Sequence, residues 1–252
     1  PRITEYMKQN ILPTHNQTAA FATFQQSWLA ISIGLLLFAA PLARALNPHA
    51  TTGLAPNQLN PGDIIRTDSG DAIQGAFILK VDPRTGEETP LSQGGYLGSY
   101  GYPMGVACDR NGQLIVANEG CLLRIDPKTG TQFMIRDASC APGLFWGLAL
   151  DHNDDILVAA ESAILRVDPA TGETEVVSSG GELNVCLGLA LGRQKSGEIF
   201  ATSVHYVPDT GWVGEILRID PRTGRQTVVA QGEHLGFLLG ITVQGDDIYV
   251  TG

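Results

Sequence analysis

One sequence unit occurs four times along the 252-residue chain. The copies of its clearest stretch read ILKVDPRTG at 78–86, LLRIDPKTG at 122–130, ILRVDPATG at 164–172 and ILRIDPRTG at 216–224. Their aspartates, at positions 82, 126, 168 and 220, are 44, 42 and 52 residues apart. A repeat of roughly 40–50 residues that holds only short apolar runs and turns is typical of β-propeller blades. The repeat therefore predicts an all-β chain built from four-stranded antiparallel blades.

A second motif adds strands to each unit. It reads MGVACDRNGQLIVAN at 104–118, WGLALDHNDDILVAA at 146–160, LGLALGRQKSGEIFATS at 187–203 and LGITVQGDDIYVTG at 239–252. Each copy contains two apolar runs separated by a polar hairpin, which predicts the first and second strands of a blade. The run before DPxTG is the third strand, and the alternating residues after it are the fourth. Inner strands that are almost wholly apolar indicate burial on both faces.

The DPxTG element predicts a tight turn between the third and fourth strands. Proline fixes φ near −65°, and the preceding aspartate accepts a backbone N–H. The glycine supplies the positive φ that closes a bulged hairpin. Because the element occurs in every unit, we interpret it as scaffold; a catalytic group is needed only once.

The units do not fill the chain evenly. Residues 63–67 align with a second strand, so the first blade begins without its first strand. We expect strands two to four of a first blade, then three full blades, then strands one and two of a last blade. This makes about four and a half blades of a propeller that closes with six. The predicted domains are a leader or anchor at 1–45, a linker at 46–61 and a propeller at 62–252 that is truncated at its C-terminus.

The order Gly-Leu-Ala-Leu-Asp, polar turn, Ile-Leu-Val-Ala, Ile-Leu-Arg-Val-Asp-Pro-x-Thr-Gly resembles the NHL-repeat propellers. It is also similar to the streptogramin-lyase-like and gluconolactonase-like propellers. The resemblance covers residues 62–252 and implies a six-bladed fold. It implies no single activity, because that superfamily includes lyases, lactonases, synthases and binding modules.

The N-terminal region predicts export. Residues 28–43 are an uncharged apolar run, short for a membrane span of about 20 residues, and Ala43-Arg44-Ala45 follows the small-x-small pattern of a signal-peptidase site. We expect an extracytoplasmic protein, periplasmic or secreted, without a stable membrane span after cleavage; an uncleaved anchor is the alternative. The chain has a net charge of −10 and lacks the clustered Lys and Arg that phosphate binding needs. No nucleic-acid partner is therefore expected.

Strand direction places the DPxTG turns and the first hairpins of all blades on one face, the turn face. The turns between strands two and three, and the connections between blades, lie on the other, the variable face, where function is normally carried. Residues 203–215 are predicted to be a long loop there. The expected pocket for a small molecule, glycan or protein has an aromatic wall; its candidate residues are Tyr100, Tyr102, Phe145, Trp146, His205, Tyr206, Trp212, His234 and Phe237. Packing between blades is the alternative role for these rings.

Acidic and amide side chains follow the second strands at Asp68, Asn118, Glu119 and Glu161. Oxygen ligands converging at the channel mouth would suit a divalent cation such as Ca²⁺ or Mg²⁺, and the metal-dependent members of the resembled superfamily use such a ring. The aligned column is not a full ring of carboxylates here, so these side chains have the alternative role of satisfying loop backbone groups.

Four cysteines are present, and an exported protein can keep a disulfide. We consider a bridge between Cys121 and Cys140, while Cys108 is predicted to be a buried apolar residue. The expected function is non-catalytic: an exported propeller that presents a binding surface. The alternative is a metal-assisted lyase or lactonase at the channel mouth, in which His205 or His234 would act with a carboxylate.

Overall fold

The computed structural model describes residues 59–70, 75–99, 102–137, 144–192, 197–232 and 235–252. The predicted leader at 1–45, most of the linker, Tyr100, Cys140 and His234 lie outside the described residues. In the described part, every element except one four-residue helix is a β-strand. No helix in that part is long and apolar enough to cross a membrane.

The strands form five antiparallel sheets, called blades 1 to 5 in chain order. Blade 1 holds β1 (Ile64–Asp68), β2 (Phe77–Val81) and β3 (Glu88–Gln93), and α1 (Tyr96–Ser99) follows it. Blade 2 holds β4 (Pro103–Cys108), β5 (Leu114–Asn118), β6 (Cys121–Ile125) and β7 (Gln132–Asp137). Blade 3 holds β8 (Phe145–Leu150), β9 (Ile156–Ala160), β10 (Ala163–Val167) and β11 (Thr174–Ser179). Blade 4 holds β12 (Val185–Leu191), β13 (Ile199–Val207), β14 (Gly211–Ile219) and β15 (Gln226–Gly232), and blade 5 holds β16 (Gly240–Gln244) and β17 (Asp247–Thr251).

The predicted propeller architecture is confirmed. Each four-stranded blade has its strands side by side in sequence order, as expected for up-and-down blades. Blade 1 is a three-stranded sheet that begins with a second strand, and blade 5 contributes a first and a second strand. The division of the repeat into strands therefore agrees with the one expected from the sequence.

The DPxTG turns have the predicted geometry. In blade 3, Asp168 Oδ1 accepts hydrogen bonds from the backbone N–H groups of Ala170 at 2.7 Å and Thr171 at 2.9 Å. Gly172 has φ +70° and donates its N–H to the Asp168 carbonyl at 2.9 Å. These backbone bonds lower the pKa of the Asp168 carboxyl, because they favour its ionised form.

Neighbouring blades approach each other closely where their inner strands carry glycine. A Cβ placed on Gly147 of blade 3 would lie 2.5 Å from the carbonyl oxygen of Leu187 in blade 4. A Cβ on Gly188 would lie 2.8 Å from the carbonyl oxygen of Leu239 in blade 5, and Gly105 approaches blade 3 in the same way. Since only glycine permits this approach, the GLAL-type motif is a packing requirement of the inner strands.

Apolar side chains fill the space between blades further from these glycines. The cluster between blades 2 and 3 is centred on the fully buried Phe145 and Val158. The cluster between blades 3 and 4 includes Leu157, Ile164 and Leu217. Inner strands are apolar on both faces because each face contacts a different neighbouring blade.

A buried glutamine fastens blade 2 to blade 1. Gln132 is fully buried, and its Nε2 donates to Ser92 Oγ at 2.9 Å and to the Gly94 carbonyl at 3.0 Å. Its Oε1 accepts the N–H of Tyr96 at 2.8 Å. Gln226 makes the equivalent bonds between blades 4 and 3. These amides fix the connections between blades on the variable face.

The prediction that Cys108 is buried was wrong, because this residue is exposed. The aligned Leu150 packs into the cluster between blades 2 and 3, against the preceding blade. The same side of β4 faces blade 1, whose described strands do not include an inner strand. The side chain of Cys108 therefore lacks the cover that Leu150 receives.

Two DPxTG glycines with nearly identical φ provide a matched test of blade packing. Gly86 has φ +73° with open space beside it, whereas a Cβ on Gly172 would lie 2.3 Å from the carbonyl oxygen of Ile135. We expect Gly86→Ala to lower the free energy of unfolding by about 1 kcal/mol through backbone strain alone. Gly172→Ala should cost about 2–4 kcal/mol, because the blades must also separate. Denaturant unfolding measures both values; equal losses would contradict the close blade contact at Gly172.

Candidate functional site

Blade 4 carries the largest departure from the repeat on the variable face. The prediction of a long loop at 203–215 was wrong: β13 and β14 each run for nine residues and pair from Ile199–Ile219 out to Val207–Gly211. Only residues 208–210 form the turn. In blades 2 and 3 the corresponding strands are joined by two residues. The extra residues thus extend the blade as a paired hairpin beyond its neighbours.

One face of this hairpin carries an aromatic stack. Tyr206 and Trp212 are paired across the strands, with ring centroids 5.7 Å apart and planes at 73°. Trp212 also meets Phe237 edge to face, at 5.1 Å and 86°. Tyr206 is 62% exposed, while Trp212 and Phe237 pack against the cluster between blades 4 and 5. The inner rings of the stack thus support an exposed phenol near the hairpin tip.

The opposite face of the hairpin is polar at its base. Ser203 pairs with Glu215, and His205 pairs with Val213 one step nearer the tip. Side chains two residues apart in a strand share a face, so Ser203, His205 and Glu215 point to the same side. The Ser203 hydroxyl donates to the Glu182 carbonyl at 2.7 Å and accepts the N–H of Asn184 at 3.0 Å.

Glu215 was not among the residues singled out from the sequence. It is 2% exposed, and its Oε2 has no hydrogen-bond partner among the described residues. The Nδ1 of His205 is likewise buried without a partner in the described part of the chain. Burial raises the pKa of the Glu215 carboxyl above its ordinary value of 4.5, while His205 lowers it and Glu182 raises it.

The repeat itself contained the signal that would have identified Glu215. Its equivalents at the start of the third strand are Phe77, Cys121 and Ala163, paired in the same register with Asp68, Asn118 and Ala160. Cys121 and Ala163 are buried apolar residues. A carboxylate at a position that is apolar in blades 1 to 3 is an exception that alignment of the units reveals.

The other predicted aromatic residues are dispersed. Phe145 is fully buried between blades 2 and 3, away from the aromatic stack. Trp146 packs against the clusters on both sides of blade 4. Tyr102 is 57% exposed at the start of blade 2. Of the predicted set, the structure therefore brings together Tyr206, Trp212 and Phe237, with His205 on the other hairpin face.

The side chains proposed as cation ligands make separate local contacts in the structure. The amide of Asn118 donates to the Tyr96 carbonyl at 3.1 Å, in the connection between blades 1 and 2. Ser203 makes a similar bond to the connection between blades 3 and 4. Asp68 pairs with Arg66 and accepts the N–H of Gly70. Glu119 and Glu161 hold the next inner strand through their backbone carbonyls. Within the described ranges, no group of three or more His, Cys, Asp or Glu side chains is placed to hold a metal ion.

The predicted disulfide involves Cys140, which lies outside the described residues. Its proposed partner Cys121 is buried at the start of β6, and burial raises the pKa of this thiol to about 12. Cys186 is also buried, and its pKa is raised to about 12 for the same reason. Both thiols are therefore protonated at neutral pH and act as small apolar residues.

Two open clefts lie on the turn face, far from the extended hairpin. A cleft of about 670 Å³ between blades 2 and 3 is bordered by Asp109, Phe133 and Pro169. One of about 830 Å³ between blades 3 and 4 is bordered by Arg166 and Pro221. Because the repeated hairpins and DPxTG turns form their rims, both are spaces between scaffold elements.

No protein-family profile and no curated protein matches the sequence. Among solved structures, the chain is similar to nidogen in a nidogen/laminin complex, with a TM-score of 0.55 and 16% identity over 70% of this chain and 64% of that one. It is similar to virginiamycin B lyase from Staphylococcus aureus, with a TM-score of 0.55 and 15% identity over 78% of this chain and 61% of that one. It is also similar to PQQ-bound aldose sugar dehydrogenase from Streptomyces coelicolor, with a TM-score of 0.54 and 17% identity over 84% of this chain and 80% of that one.

These likenesses define the class of fold. All three proteins are β-propellers, so the chain adopts the propeller fold, and the resemblance to streptogramin-lyase-like propellers is confirmed at that level. The chain spans less than two thirds of the length of the first two structures. The three proteins have different roles, so the fold alone does not specify one.

The buried Glu215 carboxyl predicts a particular pH dependence. Because folding raises its pKa, this group's contribution to stability is fully present below about pH 4.5 and is lost as pH rises through the raised value. Glu215→Gln should therefore lose less stability between pH 4.5 and 8, and should exceed the parent at pH 8 by about 1–3 kcal/mol. Denaturant unfolding at several pH values tests this, with Glu175→Gln at an exposed position on β11 as the control. Parallel curves for the parent and Glu215→Gln would contradict the assignment.

Proposed function

We propose that the chain is a non-catalytic β-propeller that binds a small molecule, a glycan or a partner protein through its variable face. The observation that carries this proposal is the extended hairpin of blade 4, which presents Tyr206 with 62% exposure on the packed rings of Trp212 and Phe237. No other second-to-third-strand hairpin in the described part of the chain projects in this way.

The physical support for binding comes from how the exposed ring is held. An aromatic ring offers a large contact area, and its hydroxyl adds a hydrogen-bonding tip. Because Trp212 packs on one side of Tyr206 and is itself fixed by the core, little side-chain freedom remains to be lost on binding. Rigid aromatic anchors of this kind account for much of the energy in protein interfaces.

The similar structures are consistent with either a binding or a catalytic role. Nidogen is found in a complex with laminin, while the other two are named as a lyase and a dehydrogenase. The alternative function is thus a lyase or lactonase acting at the channel mouth. It is favoured by one observation, the placement of His205 and the buried Glu215 on the same face of the hairpin. An imidazole beside a carboxyl group can transfer protons in such a reaction.

The binding proposal predicts the effect of removing one exposed ring. Tyr206→Ser should weaken the binding of a ligand identified on glycan and peptide arrays by at least about tenfold, with an unchanged thermal midpoint. The matched control is Val176→Ser on outer strand β11, where Val176 is 56% exposed. Equal binding by parent and Tyr206→Ser would contradict the proposal.

The same experiment separates the two functions. A binding module returns its ligand chemically intact after prolonged incubation, as mass spectrometry of the recovered ligand would show. Conversion of the ligand that is lost in His205→Ala would instead establish the enzymatic alternative.

We further propose that the protein is exported and acts outside the cytoplasm. The proposal rests on the apolar run at 28–43 and on Ala43-Arg44-Ala45. Protein recovered from the periplasm or culture medium should have an intact mass corresponding to a start at about Leu46. A cytoplasmic product that retains the apolar run would contradict export.

A further inference from the structure

Glu215 is the buried side chain whose chemistry the scaffold does not account for. Where another blade has Ala163, blade 4 buries a carboxyl group at 2% exposure, and its Oε2 receives no hydrogen bond from any described residue. An unsatisfied buried carboxylate costs free energy, whereas an apolar residue at this position would not. Such a residue indicates a role that the fold itself does not require.

The surroundings of Glu215 show what would complement it. The charged groups that act on it are His205, from the neighbouring strand β13, and Glu182, from the connection between blades 3 and 4. Two carboxyl groups therefore face a single imidazole, so these surroundings favour a ligand group of positive charge. An ionised carboxylate only accepts hydrogen bonds, so the complement is a group that donates them and carries positive charge.

Glu215 lies at the base of the polar face of the hairpin. His205 and Val213 form the next cross-strand pair on this face towards the tip, and His205 is only partly buried. His205 is therefore the residue of this face that lies between Glu215 and the projecting tip. The unpartnered Nδ1 of His205 adds a second polar group on the same face.

We propose that Glu215, with His205 beside it, binds a protonated amino group of the ligand of the variable face. This inference rests on the proposed binding function and specifies the chemical class of the ligand as a cationic amine. Glu215 supplies the charged acceptor, and His205 supplies a polar neighbour that fixes the orientation of the ammonium group. The burial of Glu215 excludes water and strengthens the ion pair.

A matched pair of small probes tests the class of ligand without knowledge of the natural one. Benzylamine and benzyl alcohol have nearly the same shape, but only the amine is cationic at neutral pH. Binding is followed by NMR titration of the histidine ring signals; the chain has five histidines, and His205→Asn identifies the relevant one. The variants are Glu215→Gln, Glu215→Ala, which restores the residue of blade 3, and, as a control, Glu175→Gln at an exposed position on β11.

The expected result is a shift of the His205 signal with benzylamine at a Kd at least about tenfold lower than with benzyl alcohol. Both Glu215 variants should abolish this preference, while Glu175→Gln should change amine binding by about twofold or less. Unchanged thermal unfolding, or the stabilisation predicted above, verifies that each variant is folded. Equal binding of the two probes, no binding of either, or an amine preference that survives in Glu215→Ala would overturn the proposal.

The pH dependence gives a second readout. An ammonium group pairs with the ionised form of Glu215, whose pKa is raised by burial. Benzylamine affinity should therefore rise with pH until the carboxyl is fully ionised, and binding below that point should release a proton. Benzyl alcohol should show no such rise. Calorimetry in two buffers of different ionisation enthalpy measures the release.

Failure of this inference can be distinguished from failure of the wider binding proposal. If Tyr206→Ser reduces array binding but the amine preference is absent, the variable face binds ligands and the assignment of Glu215 is wrong. If the amine binds at Glu215 but Tyr206→Ser has no effect, the polar face of the hairpin is the site and the aromatic face is not.

Discussion

The close approach of neighbouring inner strands at glycine is the contact on which the rest of the propeller depends. At Gly147 the backbone of the next blade occupies the place where a Cβ would lie, 2.5 Å from the Leu187 carbonyl oxygen. This contact sets the distance between blades near the channel, and the apolar clusters then fill the wider space outside it. At that distance the side-chain amides of Gln132 and Gln226 reach the preceding blade and hydrogen-bond to it.

Blade 4 uses the same frame and departs from it at one end. From Ile199 to Thr202 its second strand follows the repeat, and beyond Ser203 the two central strands continue as a projecting hairpin. The aromatic face of this hairpin is partly structural, since Trp212 and Phe237 pack into the core between blades 4 and 5. The polar face buries Glu215 at a position that is apolar elsewhere. A local exception within an otherwise consistent repeat is where function is expected, because the scaffold gains nothing from it.

The column of polar residues after the second strands shows how a sequence pattern can have a different physical meaning. Asp68, Asn118 and Ser203 lie at equivalent places in blades 1, 2 and 4. Asn118 and Ser203 hydrogen-bond to the connection that leads into their own blade, which for Asn118 is the alternative role considered from the sequence. A metal ligand and a side chain that hydrogen-bonds to a loop can have the same residue type and spacing. Only the direction of the side chain distinguishes the two roles.

The sequence by itself determined the repeat, the order of strands within each blade, the DPxTG turns and the identity of the variable face. These features depend on local preferences and on apolar patterning, both of which can be read along the chain. Tertiary structure decided that residues 203–215 form a hairpin, that Trp212 packs into the core while Tyr206 stays exposed, and that Cys108 is uncovered. It also decided that His205 and Glu215 share one face of that hairpin. Each of these outcomes depends on strand register or on contact with the next blade, and such contacts join residues that no local pattern links.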